Sequence, residues 1–331
     1  MTRVLTPLRG AATHRGGGEP ALVLVAHGSR DPRSAANAAA VRDLVAAARP
    51  ELAVRLAFLD LTAPSVDRTV DAVAAAGFSR AVVVPLLLGS AFHARVDLPG
   101  LLDAARRRLP RLELIQAEVL GPDPHLITAL CERIAEASTG RPVTIGGASG
   151  SARTCPPATG TGNAGATIEP IRSGAPITAS GIARATIEPS KTGTPTTTGI
   201  ANATVEPTQT GTPTTTTGIA VAAVGSTRPG ANERTAEVAA EVARRTGLPT
   251  EICFATSEPT MSTAIARLRA RGVDRIIVAP WFLAPGLLTD RLLTTAPDVV
   301  HAATIGAHSA LAEVVSARYD SALAAELELS A

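Results

Sequence analysis

The chain has 331 residues, of which 45% are hydrophobic and 2% aromatic, and its formal net charge at pH 7 is +2. This near-balanced charge, with so few aromatic rings, argues against a nucleic-acid surface built from basic stripes and stacking side chains. Lys191 is the only lysine and lies in a low-complexity stretch, which excludes a Walker-type phosphate loop and a Schiff-base mechanism from the folded regions.

Cysteine spacing and hydropathy set further limits. The three cysteines are far apart in the chain, which indicates neither a disulfide framework nor a metal cluster and fits a reducing compartment. Residues 1–20 hold no apolar stretch of signal-peptide length, and no segment reaches the roughly 18 apolar residues of a membrane span. We therefore expect a soluble, cytoplasmic protein whose residues 1–20 are disordered.

Residues 21–137 alternate short apolar runs with longer amphipathic ones. Strands that are continuously apolar and separated by helices are typical of a parallel sheet covered on both faces. Pro32 and Pro64 are expected in first helical turns, where a missing N–H costs nothing. The pattern predicts strands at 21–26, 53–59, 80–88 and 112–118, and helices at 34–48, 64–76, 97–109 and 123–137.

Residues 218–331 repeat this order. The two copies are also similar in sequence, since Arg80-Ala-Val-Val-Val-Pro aligns with Arg275-Ile-Ile-Val-Ala-Pro. An internal duplication therefore predicts two tandem α/β domains, at 21–137 and 218–331. In the second, strands are predicted at 219–224, 250–255, 274–282 and 299–305, and helices at 230–246, 258–271, 286–294 and 308–327.

Residues 138–217 separate the two copies and are rich in Thr, Gly, Pro and Ala. Ala-Thr-Ile-Glu-Pro occurs at 166 and 185, and Ala-Thr-Val-Glu-Pro at 203. A stretch with so little apolar periodicity cannot offset its ordering entropy by burial. We expect a disordered linker, with a short solenoid as the alternative.

Three polar residues fall at the predicted strand ends of the first copy. His27 follows the first strand, Asp60 closes the second and His93 lies just past the third. In a parallel sheet of strand order 2-1-3-4, all three would meet at the edge where such sheets bind ligands. Two imidazoles and a carboxylate suit a borderline divalent ion such as Fe²⁺, Co²⁺, Ni²⁺ or Zn²⁺. The sequence therefore predicts His27, His93 and Asp60 as metal ligands.

The second copy lacks all three residues. Val224 stands in place of His27, Leu288 in place of His93, and Thr256 near the column of Asp60. Polar groups needed for folding would be expected to persist in part, so their joint loss favours a single site on the first copy.

Arginines surround the same two loops. Arg30, Arg33 and Arg95 lie there, and the helix starting near Pro32 directs backbone N–H groups toward His27, which suits a ligand bearing carboxylates. Solvated arginines are the alternative. The predicted substrate-binding residues are those three arginines together with two serines of the same loops, Ser29 and Ser90.

These motifs resemble the sirohydrochlorin chelatases, the small class II chelatases. The resemblance rests on Val25-Ala-His27-Gly-Ser-Arg30, Phe58-Leu-Asp60-Leu, Val84-Pro-Leu-Leu-Leu88 and His93-Ala-Arg-Val-Asp97-Leu-Pro99, and it covers both folded units. It implies two flavodoxin-like halves of the chelatase fold with a cleft between them. It also implies ATP-independent insertion of Fe²⁺ or Co²⁺ into sirohydrochlorin, in siroheme or cobalamin biosynthesis.

The resemblance assigns roles to residues of this chain. His27 and His93 map onto metal-binding and catalytic histidines, and Asp60 lies where the family often has glutamate, which is one methylene longer. Metallation removes two pyrrole protons, and a neutral imidazole can both ligate a metal and accept a proton. His93 is expected to accept the proton, with His27 as its partner, and no cofactor beyond the substrate metal is expected.

Two other functions remain open from the sequence. One is a metal or tetrapyrrole carrier that uses the same pocket without turnover. The other is a histidine phosphatase-like enzyme, although that chemistry usually places arginine directly before the histidine, where this chain has Ala26. The expected partners are sirohydrochlorin and a divalent metal, without nucleic acid or membrane, and the expected state is a monomer or weak homodimer. The residues do not distinguish iron from cobalt or nickel.

Overall fold

A computed structural model of the protein describes residues 19–89, 96–140 and 215–329. All sixteen predicted elements are present in the predicted order. The first half contains β1 (Ala21–Ala26), α1 (Pro32–Ala48), β2 (Val54–Phe58), α2 (Val66–Ala75), β3 (Arg80–Pro85), α3 (Leu98–Arg108), β4 (Glu113–Gln116) and α4 (Pro124–Ser138). The second half contains β5 (Thr217–Ala223), α5 (Ala231–Thr246), β6 (Thr250–Phe254), α6 (Met261–Ala270), β7 (Arg275–Pro280), α7 (Leu287–Thr295), β8 (Val300–His301) and α8 (Ser309–Leu329). The predicted disorder of residues 1–20 and of the 138–217 linker falls almost entirely outside the described residues.

Each half builds a four-stranded parallel sheet. The strand orders are β2-β1-β3-β4 and β6-β5-β7-β8, so both halves have the order 2-1-3-4 that would bring the strand ends of His27 and Asp60 together. The two sheets share their register at the centre: Ala26 pairs with Phe58 in the first, and Ala223 with Phe254 in the second. The α/β fold class with two parallel-sheet units is confirmed, and the duplication is visible in the backbone pairing itself.

Helix starts follow the capping chemistry of their sequences. Asp31 caps α1 by accepting the Arg33 N–H at 2.9 Å, and Asp123 caps α4 by accepting the His125 N–H at 2.9 Å. Pro32 occupies the first turn as predicted. The expectation for Pro64 is wrong: Ser65 is the N-cap of α2, and Pro64 lies before it, where its carbonyl accepts the Phe58 N–H at 2.9 Å.

Both faces of each sheet are buried, on alternating residues of the same strands. In β1, Leu22 and Leu24 face an inner core that also contains residues of α1, α4, α5, α8 and the second sheet. Ala21 and Val23 face an outer core formed with α2 and α3, and a matching outer core joins the second sheet to α6 and α7. The order of layers is helix, sheet, helix, sheet, helix, and the inner core belongs to both halves.

The last helix of each half packs on the sheet of the other half. α4 contacts β7, and α8 contacts β3 and β4. Arg133 in α4 and Arg318 in α8 reinforce this exchange from equivalent positions, each the twelfth residue after a glycine, Gly121 or Gly306. The two halves therefore form one compact unit, held by reciprocal contacts.

The two arginines bind the loops that follow the fourth strands. Arg318 donates from Nε to the carbonyl of Val119 at 2.9 Å and from Nη2 to Asp123 Oδ2 at 3.1 Å. Arg133 donates from Nη2 to the carbonyl of Ile305 at 3.2 Å. Each guanidinium thus satisfies backbone acceptors of the opposite half.

Among the described residues, no helix is both long and apolar enough to cross a bilayer.

Replacing Arg318 by leucine is expected to destabilise the fold by about 2–3 kcal/mol, because it leaves the largely buried Asp123 carboxylate and two carbonyls without this donor. Arg133→Leu should cost about half as much, since its two bonds to the Ile305 carbonyl are longer, at 3.4 and 3.2 Å. Urea unfolding measures both, with the exposed Arg111→Leu as the matched control, expected within about 0.5 kcal/mol of wild type. Equal midpoints for Arg318→Leu and Arg111→Leu would contradict this role.

Candidate functional site

The carboxyl ends of the strands in both sheets open on the same side of the molecule. Two contacts between the halves show this. Arg33, in the first turn of α1, binds Asp290 in the first turn of α7, and Asn37 Nδ2 donates to the carbonyl of Leu283, just past β7, at 3.1 Å. Parallel α/β sheets bind ligands outside these strand ends. The candidate site is therefore bordered by loops of both halves.

Two short turns at the ends of β1 and β2 form the centre of the site. One comprises His27–Ser29 and the other Asp60–Thr62, and together we call them the double turn. The Asp60 N–H donates to the His27 carbonyl at 3.0 Å, which extends the strand pairing by one step beyond the sheet. His27 and Asp60, predicted from sequence to share a site, thus lie side by side, and both are exposed.

Gly28 permits the close approach of the two turns. Its φ is +92°, in the region that favours glycine, and a Cβ here would overlap the carbonyl oxygen of Asp60. Position 28 therefore favours glycine for two reasons: its φ is positive, and a larger side chain would clash with the Asp60 backbone. Without it, the backbone of Asp60 could not lie against that of His27.

The Asp60 turn is tight and unusual. Leu61 has φ of +59°, and the Thr62 N–H donates back to the Asp60 carbonyl at 2.7 Å. Asp60 Oδ1 also accepts the Leu61 N–H at 2.7 Å. A bulky residue in this region is an outlier that persists only where its surroundings hold it, and such residues cluster at functional sites.

His93, Ser90 and Arg95 lie outside the described residues. Within the described ranges, no group of three His, Cys, Asp or Glu side chains is placed to hold a metal ion. The predicted ligand set needs His93 to reach three members, so it stays a prediction. Of the three predicted ligands, the described residues include the His27 imidazole and the Asp60 carboxylate, which lie on adjacent strand ends.

Arg33 binds two carboxylates. Its guanidinium donates to Asp31 Oδ2 at 2.6 Å and to Asp290 Oδ2 at 2.5 Å. These hydrogen bonds raise the pKa of Arg33, and the bonds from Arg33 lower the pKa of Asp31. The predicted substrate-binding residue Arg33 thus forms a bridge between the halves.

The other predicted substrate-binding residues of this loop differ in exposure. Arg30 is exposed, and Ser29 is half-buried, with its Oγ accepting the Asp31 N–H at 3.0 Å. Sequence reasoning placed free helix N–H groups near His27. The structure shows that the Arg33 N–H at the start of α1 is already bound by Asp31 Oδ1. Of the two described arginines in this loop, Arg30 is therefore more accessible than Arg33.

The second half reproduces the backbone of the double turn without its chemistry. The Thr256 N–H donates to the Val224 carbonyl at 3.0 Å, as Asp60 does to His27, so both alignments made from sequence are structurally equivalent. The alignment of Leu288 with His93 stays a prediction, because His93 lies outside the described residues, while Leu288 lies inside α7.

Exposed apolar side chains border the site. Of the six large hydrophobic residues exposed within the described ranges, four follow strand ends, two in each half: Leu61, Val96, Val224 and Leu287. Leu287 is 75% exposed. Exposed apolar side chains near strand ends are candidates for contact with a ligand that has apolar area.

Sequence reasoning missed two residues of the site. Thr62 binds the backbone of Ser29, and Asp290 binds Arg33 across the halves. Neither stands in a recognisable motif, because the contact of each depends on a loop distant in sequence. The remaining described histidines are structural or peripheral, as expected: His308 Nδ1 accepts the Ala310 N–H at 3.2 Å, and the side chain of His125 is 64% exposed.

Comparison with known proteins adds three findings. The CbiX family model matches residues 21–137 and 218–322, which are both halves of the fold. A sirohydrochlorin ferrochelatase of Priestia megaterium is 33% identical over 119 residues, which are 35% of this chain and 44% of that protein. A sirohydrochlorin cobaltochelatase of Methanopyrus kandleri is 30% identical over 137 residues, covering 35% of this chain and 96% of that protein. The match thus spans less than half of the first relative and nearly all of the second.

Among solved structures, SirB from Bacillus subtilis with Fe³⁺ has the same fold. The TM-score is 0.62 at 17% identity, and the alignment covers 93% of this chain and 95% of that one. The two-unit chelatase fold is thereby confirmed. The family match favours neither a carrier nor a histidine phosphatase-like enzyme.

Gly28→Ala is expected to destabilise the fold more than Gly77→Ala. Both glycines have positive φ, +92° and +87°, so both variants carry the conformational cost of about 1–2 kcal/mol. A Cβ at Gly77 meets nothing within 4 Å, whereas at Gly28 it displaces the Asp60 backbone. Urea unfolding measures the difference. Equal losses of unfolding free energy in Gly28→Ala and Gly77→Ala would show that the His27 and Asp60 turns can separate without an energetic cost.

Proposed function

The chain belongs to the CbiX family, and we propose that it is a sirohydrochlorin chelatase that inserts a divalent metal ion into the tetrapyrrole. The reaction exchanges two pyrrole protons for Fe²⁺ or Co²⁺ and needs no ATP. One observation carries the proposal: the family match spans both halves, and in the matched first half His27 directly follows β1 and pairs with the backbone of Asp60.

His27, His93 and Asp60 deliver the metal in this proposal. His27 and Asp60 project from adjacent strand ends and are exposed, so an incoming ion can exchange its water for imidazole and carboxylate. His93, which follows β3 in the sequence, completes the ligand set in this proposal. As the metal passes to the macrocycle nitrogens, the vacated imidazole of His93 accepts a pyrrole proton and transfers it to solvent. A second proton leaves by the same route.

The macrocycle lies between the halves in this proposal. Its apolar faces contact Leu61 and Val96 on one side and Val224 and Leu287 on the other, where these side chains are exposed. Its peripheral carboxylates bind Arg30, Arg33 and Arg95, with Ser29 and Ser90 as further polar contacts. The second half thus supplies binding surface and the first half supplies the reactive groups.

The metal defines the biosynthetic role. Imidazole and carboxylate ligands suit both Fe²⁺ and Co²⁺, and affinity at such a site follows the general divalent order. Iron insertion would serve siroheme and cobalt insertion cobalamin. We propose that the enzyme acts in the cytoplasm as a monomer or weak homodimer. We also propose that it has no resident cofactor, because its reaction involves neither redox change nor group transfer.

Anaerobic incubation with sirohydrochlorin and Fe²⁺ or Co²⁺ tests the proposal. Wild type should change the macrocycle absorbance faster than the uncatalysed reaction, and the faster metal indicates the pathway. The His27→Ala, His93→Ala double variant should fall to the uncatalysed rate, because both imidazole ligands are lost. His125→Ala, a change at an exposed histidine outside the site, should keep the wild-type rate. Equal rates with and without protein would exclude catalysis and favour a carrier.

Asp290→Asn should lower the KM for sirohydrochlorin about two- to fivefold, because the substrate carboxylate no longer competes with a charged partner of Arg33. The kcat should stay unchanged, since the variant leaves the metal ligands in place. Steady-state kinetics measure both constants. Asp298→Asn, an exposed carboxylate of the same half, is the control. A raised KM would mean that the Arg33–Asp290 bridge itself helps to form the binding surface.

A further inference from the structure

We propose that Thr62 is a positioning residue for the metal site, because its single hydroxyl holds the His27 turn against the Asp60 turn. The inference deepens the proposed chelatase function and rests on it. Thr62 itself is neither a metal ligand nor a catalytic residue. Its role is to fix the separation of the two side chains that flank it in space, His27 and Asp60.

The Thr62 hydroxyl makes two hydrogen bonds to one residue. Its Oγ1 accepts the Ser29 N–H at 3.1 Å and donates to the Ser29 carbonyl at 3.0 Å. This side chain therefore takes the place of a paired strand for Ser29, beyond the end of the sheet. Thr62 is half-buried, so the two bonds are partly protected from water.

The double turn is tied at both ends. At one end the Asp60 N–H binds the His27 carbonyl, and at the other Thr62 binds Ser29. Gly28 lies between the ties, against the Asp60 carbonyl. Two short segments joined at both ends can neither slide nor separate, so the Cα atoms of His27 and Asp60 keep one relative position from which both side chains extend.

Backbone strain explains why the hydrogen bonds between Thr62 and Ser29 matter. Leu61, directly before Thr62, has φ of +59°, a conformation costly for leucine. Relaxation of this residue would swing the Asp60 turn away from β1. The two bonds of Thr62 oppose that relaxation, because they break if the turn opens.

The second half satisfies the same backbone groups in another way. Ser226 occupies the place of Ser29, and its N–H and carbonyl bind the side-chain amide of Asn232 at 2.8 and 3.0 Å. Asn232 belongs to α5, and its contact with the β6–α6 loop is a longer bond to Ser257, at 3.3 Å. In the second half the direct side-chain bond between the turns comes from Thr256, whose Oγ1 donates to the Val224 carbonyl at 2.7 Å. Only in the half with His27 and Asp60 does one side chain of the second turn bind both the N–H and the carbonyl of the serine.

Removal of the tie should loosen the ligands while leaving them in place. Groups that orient metal ligands typically contribute roughly 10- to 100-fold in metal affinity or activity. We expect Thr62→Val, which keeps the shape but loses both bonds, to weaken Co²⁺ binding by about tenfold. Thr62→Ser keeps the hydroxyl and should restore most of the affinity.

The experiment has two readouts on the full chain. Titration with Co²⁺ alone, followed by the d–d absorption of the bound ion, reports affinity and ligand geometry. Metallation of sirohydrochlorin at varied Co²⁺ reports the KM for metal and the kcat. Thr62→Val should raise the KM for Co²⁺ and alter the d–d spectrum, and Thr62→Ser should resemble wild type in both.

Two matched controls separate positioning from stability. Thr69→Val removes a similar hydroxyl, which donates to the Ser65 carbonyl at 3.0 Å within the next helix, and Asn232→Leu removes the equivalent tie in the second half. Urea midpoints rank the stability of all variants. The controls should keep wild-type Co²⁺ affinity even where their midpoints fall.

The outcomes are distinct. Wild-type affinity and spectrum for a folded Thr62→Val would overturn the positioning role, and so would equal losses in Thr62→Val and Thr62→Ser. Tight Co²⁺ binding by wild type without metallation would overturn the chelatase function, while the Co²⁺ titrations would still judge Thr62. Absence of Co²⁺ binding by wild type would overturn both.

Discussion

The exchange of the last helices is the constraint on which the rest of the structure depends. α4 leaves the first half to cover β7, and α8 returns from the second half to cover β3 and β4. Each sheet therefore has part of its inner face buried by the other half. Because burial of these apolar faces is the main favourable term in folding, the two halves are bound to one relative position. That position brings the carboxyl ends of both sheets to one side and gives the candidate site two walls.

Duplication then allowed the halves to differ at their strand ends. The first half keeps an imidazole and a carboxylate on adjacent turns, with Gly28 and Thr62 holding those turns together. The second half keeps the turn geometry and replaces the polar groups by Val224 and Thr256. Under the proposed function, the first half would supply the metal ligands and the second half an apolar surface for the macrocycle.

The electrostatics of the site follow from the same arrangement. Arg33 and Asp290 lie at the starts of α1 and α7, and they meet because the helix exchange brings those two ends together. The ion pair links the two halves beside the strand ends. Under the proposed function, a substrate carboxylate would compete with Asp290 for Arg33.

Much of the fold could be predicted because it depends on patterns of residues that are close together in the chain. Continuous apolar runs such as Leu22 to Val25 indicate parallel strands buried on both faces, and Asp31-Pro32 marks a helix start whose cap needs no distant partner. The prediction for Pro64 failed because the local pattern did not reveal that Ser65, one residue later, is the cap.

The sequence by itself determined the sixteen elements, the duplication, and the placing of His27 and Asp60 at strand ends, since each depends on periodicity or on residues close in the chain. Only the tertiary structure decided which helix covers which sheet, that Asp290 binds Arg33, and that Thr62 holds Ser29. These contacts join residues 33 to 257 positions apart in the chain, and the last two are hydrogen bonds between residue types common on any surface. No local preference specifies such partners, because they are selected only when the buried core fixes the distance between them.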